Sequence, residues 1–375
     1  MMRRLVALLF LPLIFSCGDN SSESETNMGF LENFSYTIDT VMIDAGEDFI
    51  FLQALNFSSL SPDGSHLYSY NFKEVQLEVI DLNQLRLKEK IKLDKEGPLG
   101  IGNSSNVKIT KNGDFFFLGF SGIHQLDPKL ENMTLYALRR QKFELLEPGE
   151  TLDFGFSISE DGQTAYVAYG KEDEEQARSG LAVISLKDLS LRKIPVKIWE
   201  SLQPYVRTLL ENGEMRMKTI EPVNKTQVGN RLLLSSGNFN EVYVIDLETD
   251  SVRHITYTSK LTRDMKTLPE RTTANSNLEM REMFDQANRE VEFKEFHFDN
   301  KSRKFFRFSR DVSRTIADSV VYKSVLTVFD EELNQIHEEE VPLDIFGLRF
   351  FKDGKLWSYV NVEDELGFAV MDFKF

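Results

Sequence analysis

One cysteine, Cys17, stands in a chain of 375 residues, so no disulfide can form within it. The five histidines, His66, His124, His254, His297 and His337, never fall at metal-ligand spacing from one another, and no metal motif can be written from them. Basic residues are few: 44 Lys and Arg face 60 Asp and Glu, for a net charge of −16. A surface that negative repels nucleic acid and anionic lipid headgroups rather than recruiting them, and no nucleic-acid partner is expected. The apolar run from Leu5 to Phe15 is too short to cross a bilayer and stay there.

Phenylalanine, by contrast, is abundant. There are 30, several in runs such as Phe115-Phe116-Phe117, Phe305-Phe306 and Phe350-Phe351. Aromatic and β-branched side chains suit a pleated, half-buried surface, so the composition leans towards strands.

At the N-terminus Arg3 and Arg4 precede the apolar run, which gives way to Ser16 and Cys17. A basic segment, a short apolar segment and a small residue at the boundary make a secretory signal. The residues Ile14-Phe15-Ser16-Cys17 resemble the bacterial lipobox, whose pattern prefers leucine where Ile14 stands and a small residue where Phe15 stands. That resemblance implies lipid attachment at Cys17, which several acyl chains would hold stably on a membrane. Residues 1–16 are then a lipoprotein signal peptide and 17–29 an acidic flexible tether, followed by a single domain over 30–375. Acidic residues directly after the cysteine also resemble the export signal of surface lipoproteins in Bacteroidota-like bacteria. The expected address is the cell envelope, as an outer-membrane lipoprotein on the periplasmic face or the cell surface.

The stretch from Leu55 to Leu93 sets the architecture. Four short apolar runs are joined by tight turns, the first at Ser61-Pro62-Asp63-Gly64, which reads as one four-stranded antiparallel sheet. Two markers then recur six times each, in the same order. The first is a turn pair: Asp63-Gly64, Asn112-Gly113, Asp161-Gly162, Gly229-Asn230, Asp299-Asn300 and Asp353-Gly354. The second is an apolar strand ending in Asp or a close substitute, as at Val79-Ile80-Asp81 and Val244-Ile245-Asp246. Gly64 to Gly113 and Gly113 to Gly162 are each 49 residues, close to one propeller blade. The last repeat has room for three strands only. Its fourth is expected from Phe34 to Ile43, which would close a ring and leave no free edge. The fold class is therefore all-β: a six-bladed β-propeller closed by an N-terminal strand, with short helical insertions.

The run Ser61-Pro62-Asp63-Gly64-Ser65-His66-Leu67-Tyr68 is similar to the strand-turn-strand of TolB-like six-bladed propellers. Together with the lipobox, the strand Tyr36 to Ile43 and the run Lys95 to Gly102, it resembles an uncharacterised lipoprotein family of Bacteroidota. The resemblance implies a propeller at the envelope and brings no activity with it.

Motifs for chemistry fail on inspection. Gly97 to Ser104 has the spacing of a phosphate-binding loop, but Asn103 stands in place of the lysine, and a connection between blades is the better reading. Gly119-Phe120-Ser121-Gly122 is one residue short of a nucleophile elbow. Ser159 to Thr164 echoes the sialidase Asp-box with the wrong spacing. Lys301 to Arg307 interleaves basic and aromatic residues, which in so acidic a protein reads as a strand with a solvated face. No catalytic residue and no cofactor is assigned.

Three segments break the repeat: the acidic loop Lys171 to Gly180, an interrupted helical stripe in Ile198 to Pro222, and Lys260 to Glu292, which ends in a helical pattern. They are either a lid or partner-binding rim, with Trp199, Tyr205, Met283 and Phe284 as its candidate residues, or helices packed outside the blades. The function expected first is non-catalytic binding of an envelope protein partner or a small molecule such as a glycan or peptide. A hydrolase or lyase with groups converging at the channel mouth is the alternative, and a structural scaffold of an envelope complex is a third.

Overall fold

The computed structural model describes residues 31, 33–120, 122–171, 177–316 and 319–375. Cys17, the signal peptide, the tether and the middle of the acidic loop lie outside the described residues.

Strand β1 (Ser35–Met42) comes first. One sheet follows from β2 (Ser58–Leu60), β3 (His66–Asn71), β4 (Gln76–Asp81) and β5 (Arg86–Lys92), and a second from β6 (Ser104–Ile109), β7 (Phe115–Gly119), β8 (Gly122–Leu126) and β9 (Met133–Tyr136). In the third the leading strand is split into β10 (Glu150–Leu152) and β11 (Ser157–Ile158), both paired with β12 (Thr164–Lys171), then β13 (Gly180–Ser185) and β14 (Leu191–Pro195). Helix α1 (Ile198–Leu202) and a hairpin, β15 (Thr208–Glu211) and β16 (Glu214–Lys218), precede the fourth sheet: β17 (Val223–Val228), β18 (Arg231–Ser236), β19 (Glu241–Asp246) and β20 (Val252–Thr256). Strand β21 (Thr273–Ala274) and helix α2 (Asn277–Asn288) precede the fifth: β22 (Glu292–Asp299), β23 (Lys304–Ile316), β24 (Ser319–Phe329) and β25 (Gln335–Val341). The chain ends in β26 (Arg349–Lys352), β27 (Lys355–Val362) and β28 (Glu365–Lys374), and β1 completes this sixth sheet. It pairs antiparallel with β28 from Ser35 opposite Lys374 to Met42 opposite Gly367, the place the sequence reserves for it.

The recurring markers have local causes. Gly64, Gly113, Gly162 and Gly229 sit at their turns with φ between 58° and 85°, which costs glycine little. The fifth hairpin departs from the expected pattern. Its positive φ falls on Arg303 rather than on Asn300, because Asp299 is buried and its carboxylate accepts the N–H groups of Lys301 and Ser302 at 3.1 and 2.9 Å. The strand-ending aspartates act in the same way: Asp81 Oδ1 accepts from the N–H of Asn83 and Gln84, and Asp246 Oδ1 from Glu248 and Thr249. The 49-residue period is itself a contact, since the N–H of Lys111 donates to the Glu160 carbonyl at 2.7 Å and Asn112 Nδ2 to that of Asp161 at 3.3 Å.

Six apolar clusters lie between neighbouring sheets. One joins the first sheet to the second, and others join the second to the third, the third to the fourth, the fourth to the fifth and the fifth to the sixth. A further cluster, with Phe350, Trp357 and Phe368 against Leu67 and Ile80, joins the sixth to the first. The phenylalanine runs follow from this. A strand covered on both faces needs consecutive apolar residues, so Phe115 and Phe117 pack towards the first sheet and Phe116 towards the third.

Two expectations are corrected here. The stripe is α-helical to Leu202 and continues as one 3-10 turn over Gln203–Tyr205 around Pro204, after which Asn212-Gly213, both at positive φ, turns the rest into the hairpin β15–β16. Arg307 is not on a solvated face. It is 1% exposed, its guanidinium lies among the rings of Tyr257, Phe293, Phe296 and Phe329, and it donates to Asn240 Oδ1. Burial lowers its pKa to about 10.

Candidate functional site

The four candidate rim residues do not assemble on a surface. Trp199 is buried with Leu202 in the cluster between the third and fourth sheets, where α1 wedges. Tyr205 is 1% exposed and donates its hydroxyl to the Lys266 carbonyl at 2.7 Å. Met283 packs with Met280, Leu209 and Ala274, holding α2 on the small sheet β16–β15–β21. Of the four only Phe284, 37% exposed, faces solvent. The phosphate-loop look-alike bridges the first and second sheets through Gly97, Gly100 and Ile101, with a strand on either side of it.

Instead, the leading strands of the sheets bring together residues far apart in sequence. A cavity of about 880 Å³ is lined from five sheets, by Lys111, Glu160, Gln227, Arg231, His297 and Arg349 among others. Its walls include the first-hairpin turns, such as Gly229, Asn230 and Asn300. In an antiparallel four-stranded sheet those turns lie at the end opposite the entry to the leading strand. The cavity therefore opens away from the end that carries the insertions α1, β15–β16 and α2.

A smaller chamber of about 240 Å³ adjoins it, sharing Glu160, Thr226, Gln227, Phe296 and His297. Lys108 on β6, Ser157 on β11, Lys225 on β17 and Glu295 on β22 complete its polar wall. These side chains are placed by strand alternation. In β6, Val107 and Ile109 go to the core, which turns Lys108 the other way, and β17 is polar at Asn224, Lys225, Thr226 and Gln227.

The electrostatics of the chamber are set by burial. Burial pushes the Lys225 ammonium down to about 8, with Asp153 opposing, and it lowers Lys108 too, with Glu160 opposing. His297 is likewise held below the usual imidazole range by burial, so the ring is neutral near pH 7. Burial works against ionisation of Glu295, but His297, the backbone N–H and the cations Arg349 and Lys294 outweigh it and keep the carboxyl low. Arg349 itself is lowered to about 10 by burial and donates to the Ile345 carbonyl at 2.7 Å.

Of the carboxylates near the chamber, Glu295 faces His297 within it, Oε1 to Nε2 at 3.6 Å, and the others are engaged outside it. Glu160 Oε2 is 2.6 Å from Lys111 Nζ, and Asp153, beyond the wall, is 3.6 Å from Arg178. Lys225 Nζ donates to the Gly155 carbonyl at 2.9 Å, and Lys108 makes no hydrogen bond or ion pair among the described residues. Ser157 Oγ and His297 Nε2 are buried polar atoms with no hydrogen-bond partner among the described residues. The arrangement offers donors and positive charge to a small polar guest. No motif could have found it, because its members come in short groups from the leading strands of four different sheets; the polar strand β17 among apolar ones was the available signal.

The fold and this cavity define an all-β protein of successive, mainly antiparallel sheets. The family model described as a domain of unknown function, DUF4221, matches residues 31–340, and the chain belongs to that family. A DUF4221 member from Bacteroides vulgatus superposes with a TM-score of 0.67 at 13% identity, over 91% of this chain and 98% of that one. A Bacteroides fragilis protein described as exported gives 0.53 at 9% identity, over 91% and 96%. A β-propeller domain from Myceliophteria thermophila gives 0.41 at 9% identity, over 89% and 99%. These likenesses concern the fold. No curated protein matches the sequence.

Proposed function

We propose that this chain is a lipid-anchored lipoprotein of the cell envelope whose six sheets close as a TolB-like six-bladed β-propeller, and that it binds a ligand without chemistry in the cavity between the leading strands. Ring closure is supported by the apolar cluster joining the sixth sheet to the first and by the pairing of β1 with β28. The envelope address rests on the lipobox-like residues ending at Cys17, with an exported protein among the structural neighbours. One observation carries the binding reading: five sheets converge on a cavity of about 880 Å³, within the range of small-molecule sites. Gln227 lines both chambers and accepts the Glu160 N–H at 3.2 Å, so Gln227→Trp should fill the space. In a thermal-shift screen of glycans, short peptides and small metabolites, a compound that stabilises the wild type is expected to lose its effect in Gln227→Trp. Equal stabilisation of both proteins would overturn the cavity as the site.

A second reading, a protein partner, is favoured by exposed apolar residues at the other end. Phe49, Phe120, Ile220, Leu268 and Phe346 are all 44% exposed or more, and all lie in segments that enter a sheet or join its two middle strands. Such segments share one end of the molecule, and an apolar surface there suits a protein contact.

A further inference from the structure

We infer that the smaller chamber is an anion site, taking one small carboxylate- or phosphate-type dianion between Lys108 and Lys225, with Ser157 Oγ and His297 Nε2 as further hydrogen-bonding groups. This rests on the reading of the cavity as a ligand site and names the class of its ligand.

Charge balance is the first ground. The chain carries a net charge of −16, yet two half-buried ammonium groups on different sheets line one chamber without a carboxylate of their own. The carboxylate bearing on Lys108 is Glu160, which is held by Lys111 at 2.6 Å; the one bearing on Lys225 is Asp153, which faces Arg178. Glu295 shares the wall and faces His297, its Oε1 3.6 Å from Nε2, with Arg349 and Lys294 as further cations. An uncompensated charge in a partly desolvated wall is unfavourable for the empty protein, and a guest carrying the opposite charge removes that penalty.

The hydrogen-bonding inventory is the second ground. Buried polar atoms in folded proteins nearly always have partners, and here Ser157 Oγ and His297 Nε2 line the same chamber without a hydrogen bond among the described residues, Glu295 Oε1 standing 3.6 Å from the imidazole nitrogen. Two ammonium groups, a hydroxyl and a neutral imidazole can all donate, which is the complement of an oxyanion. Size is the third. About 240 Å³ corresponds to roughly eight water volumes, room for phosphate or a four-carbon dicarboxylate and too little for a sugar chain. A larger ligand would place its acidic group here and its body in the adjoining cavity.

The test is calorimetric titration of the mature chain with inorganic phosphate and with succinate, and with trehalose as a neutral probe, at constant ionic strength. One of the two anions is expected to bind with 1:1 stoichiometry. Its dissociation constant should rise at least tenfold in Lys225→Met and in Lys108→Met, recover in Lys225→Arg, and stay unchanged in the surface variant Lys323→Met. Matching circular dichroism and cooperative melting of the methionine variants keep a folding defect apart from a binding defect. Equal anion affinity in wild type and the Lys108→Met/Lys225→Met double variant marks an adventitious ion only and overturns the proposal, as does no anion binding at all. Trehalose binding that Gln227→Trp removes, with neither anion binding, would overturn the anion class and leave the cavity reading standing.

Discussion

Lys225 shows what a binding residue costs the empty fold. Its folded pKa of about 8 lies below the ordinary lysine value of 10.5. Between those values the unfolded chain binds the proton that the folded chain does not, so stability rises with pH across that window and the penalty is complete below about pH 8. Lys225→Met is therefore expected to be more stable than wild type at pH 7, by on the order of 1 kcal/mol once water reaching the cavity is allowed for. The gap should close as the pH rises from 8 towards 10.5. Urea melts of both proteins at pH 7 and pH 10 check it; a variant less stable at pH 7 would show that the ammonium is satisfied in the empty protein. Arg307 is the contrasting case, a buried cation enclosed by rings and held by Asn240, whose role is packing.

At the scale of elements, β1 is the piece with the largest leverage for its length. Phe34, Tyr36 and Ile38 pack on the cluster between the fifth and sixth sheets, and eight residue pairs tie the strand to β28. A chain beginning at Asp44 loses both and leaves β28 as an open edge. It is expected to lose roughly 3 kcal/mol or more from the apolar burial alone and to self-associate. Chemical denaturation with light scattering measures both, and an unchanged midpoint without association would show that the strand is dispensable. This element was legible in the sequence because its alternation and its position before the first repeat were both visible. So were the hairpins, since Asp-Gly and Asn-Gly pairs announce a local backbone need. The hairpin at Asn212-Gly213 carried the same signal but lay inside a stripe whose spacing imitated a helix. Trp199, Tyr205 and Met283 look like a binding rim in sequence because large apolar residues serve burial and recognition equally. Only the fold shows that α1 turns Trp199 inward between two sheets.

At the scale of the whole molecule, the two ends differ. One carries the insertions and exposed apolar residues, the other the hairpin turns and the mouth of the cavity. The site could not be read from sequence because its residues come from strands of different sheets, and proximity across them is a property of how the sheets are arranged. The proposed anchor is the reverse: it rests on a sequence signal alone, and it makes a prediction of its own. In detergent phase partition of whole cells, the wild type is expected in the detergent phase and Cys17→Ala in the aqueous phase; detergent partition of both would contradict lipidation at Cys17.

The most direct measurement is native mass spectrometry of the protein purified from its native cells, wild type beside Gln227→Trp. The wild type is expected to carry a discrete small-molecule mass that is absent from the variant. A wild type that carries no ligand, or an adduct that survives in Gln227→Trp, would contradict the cavity reading.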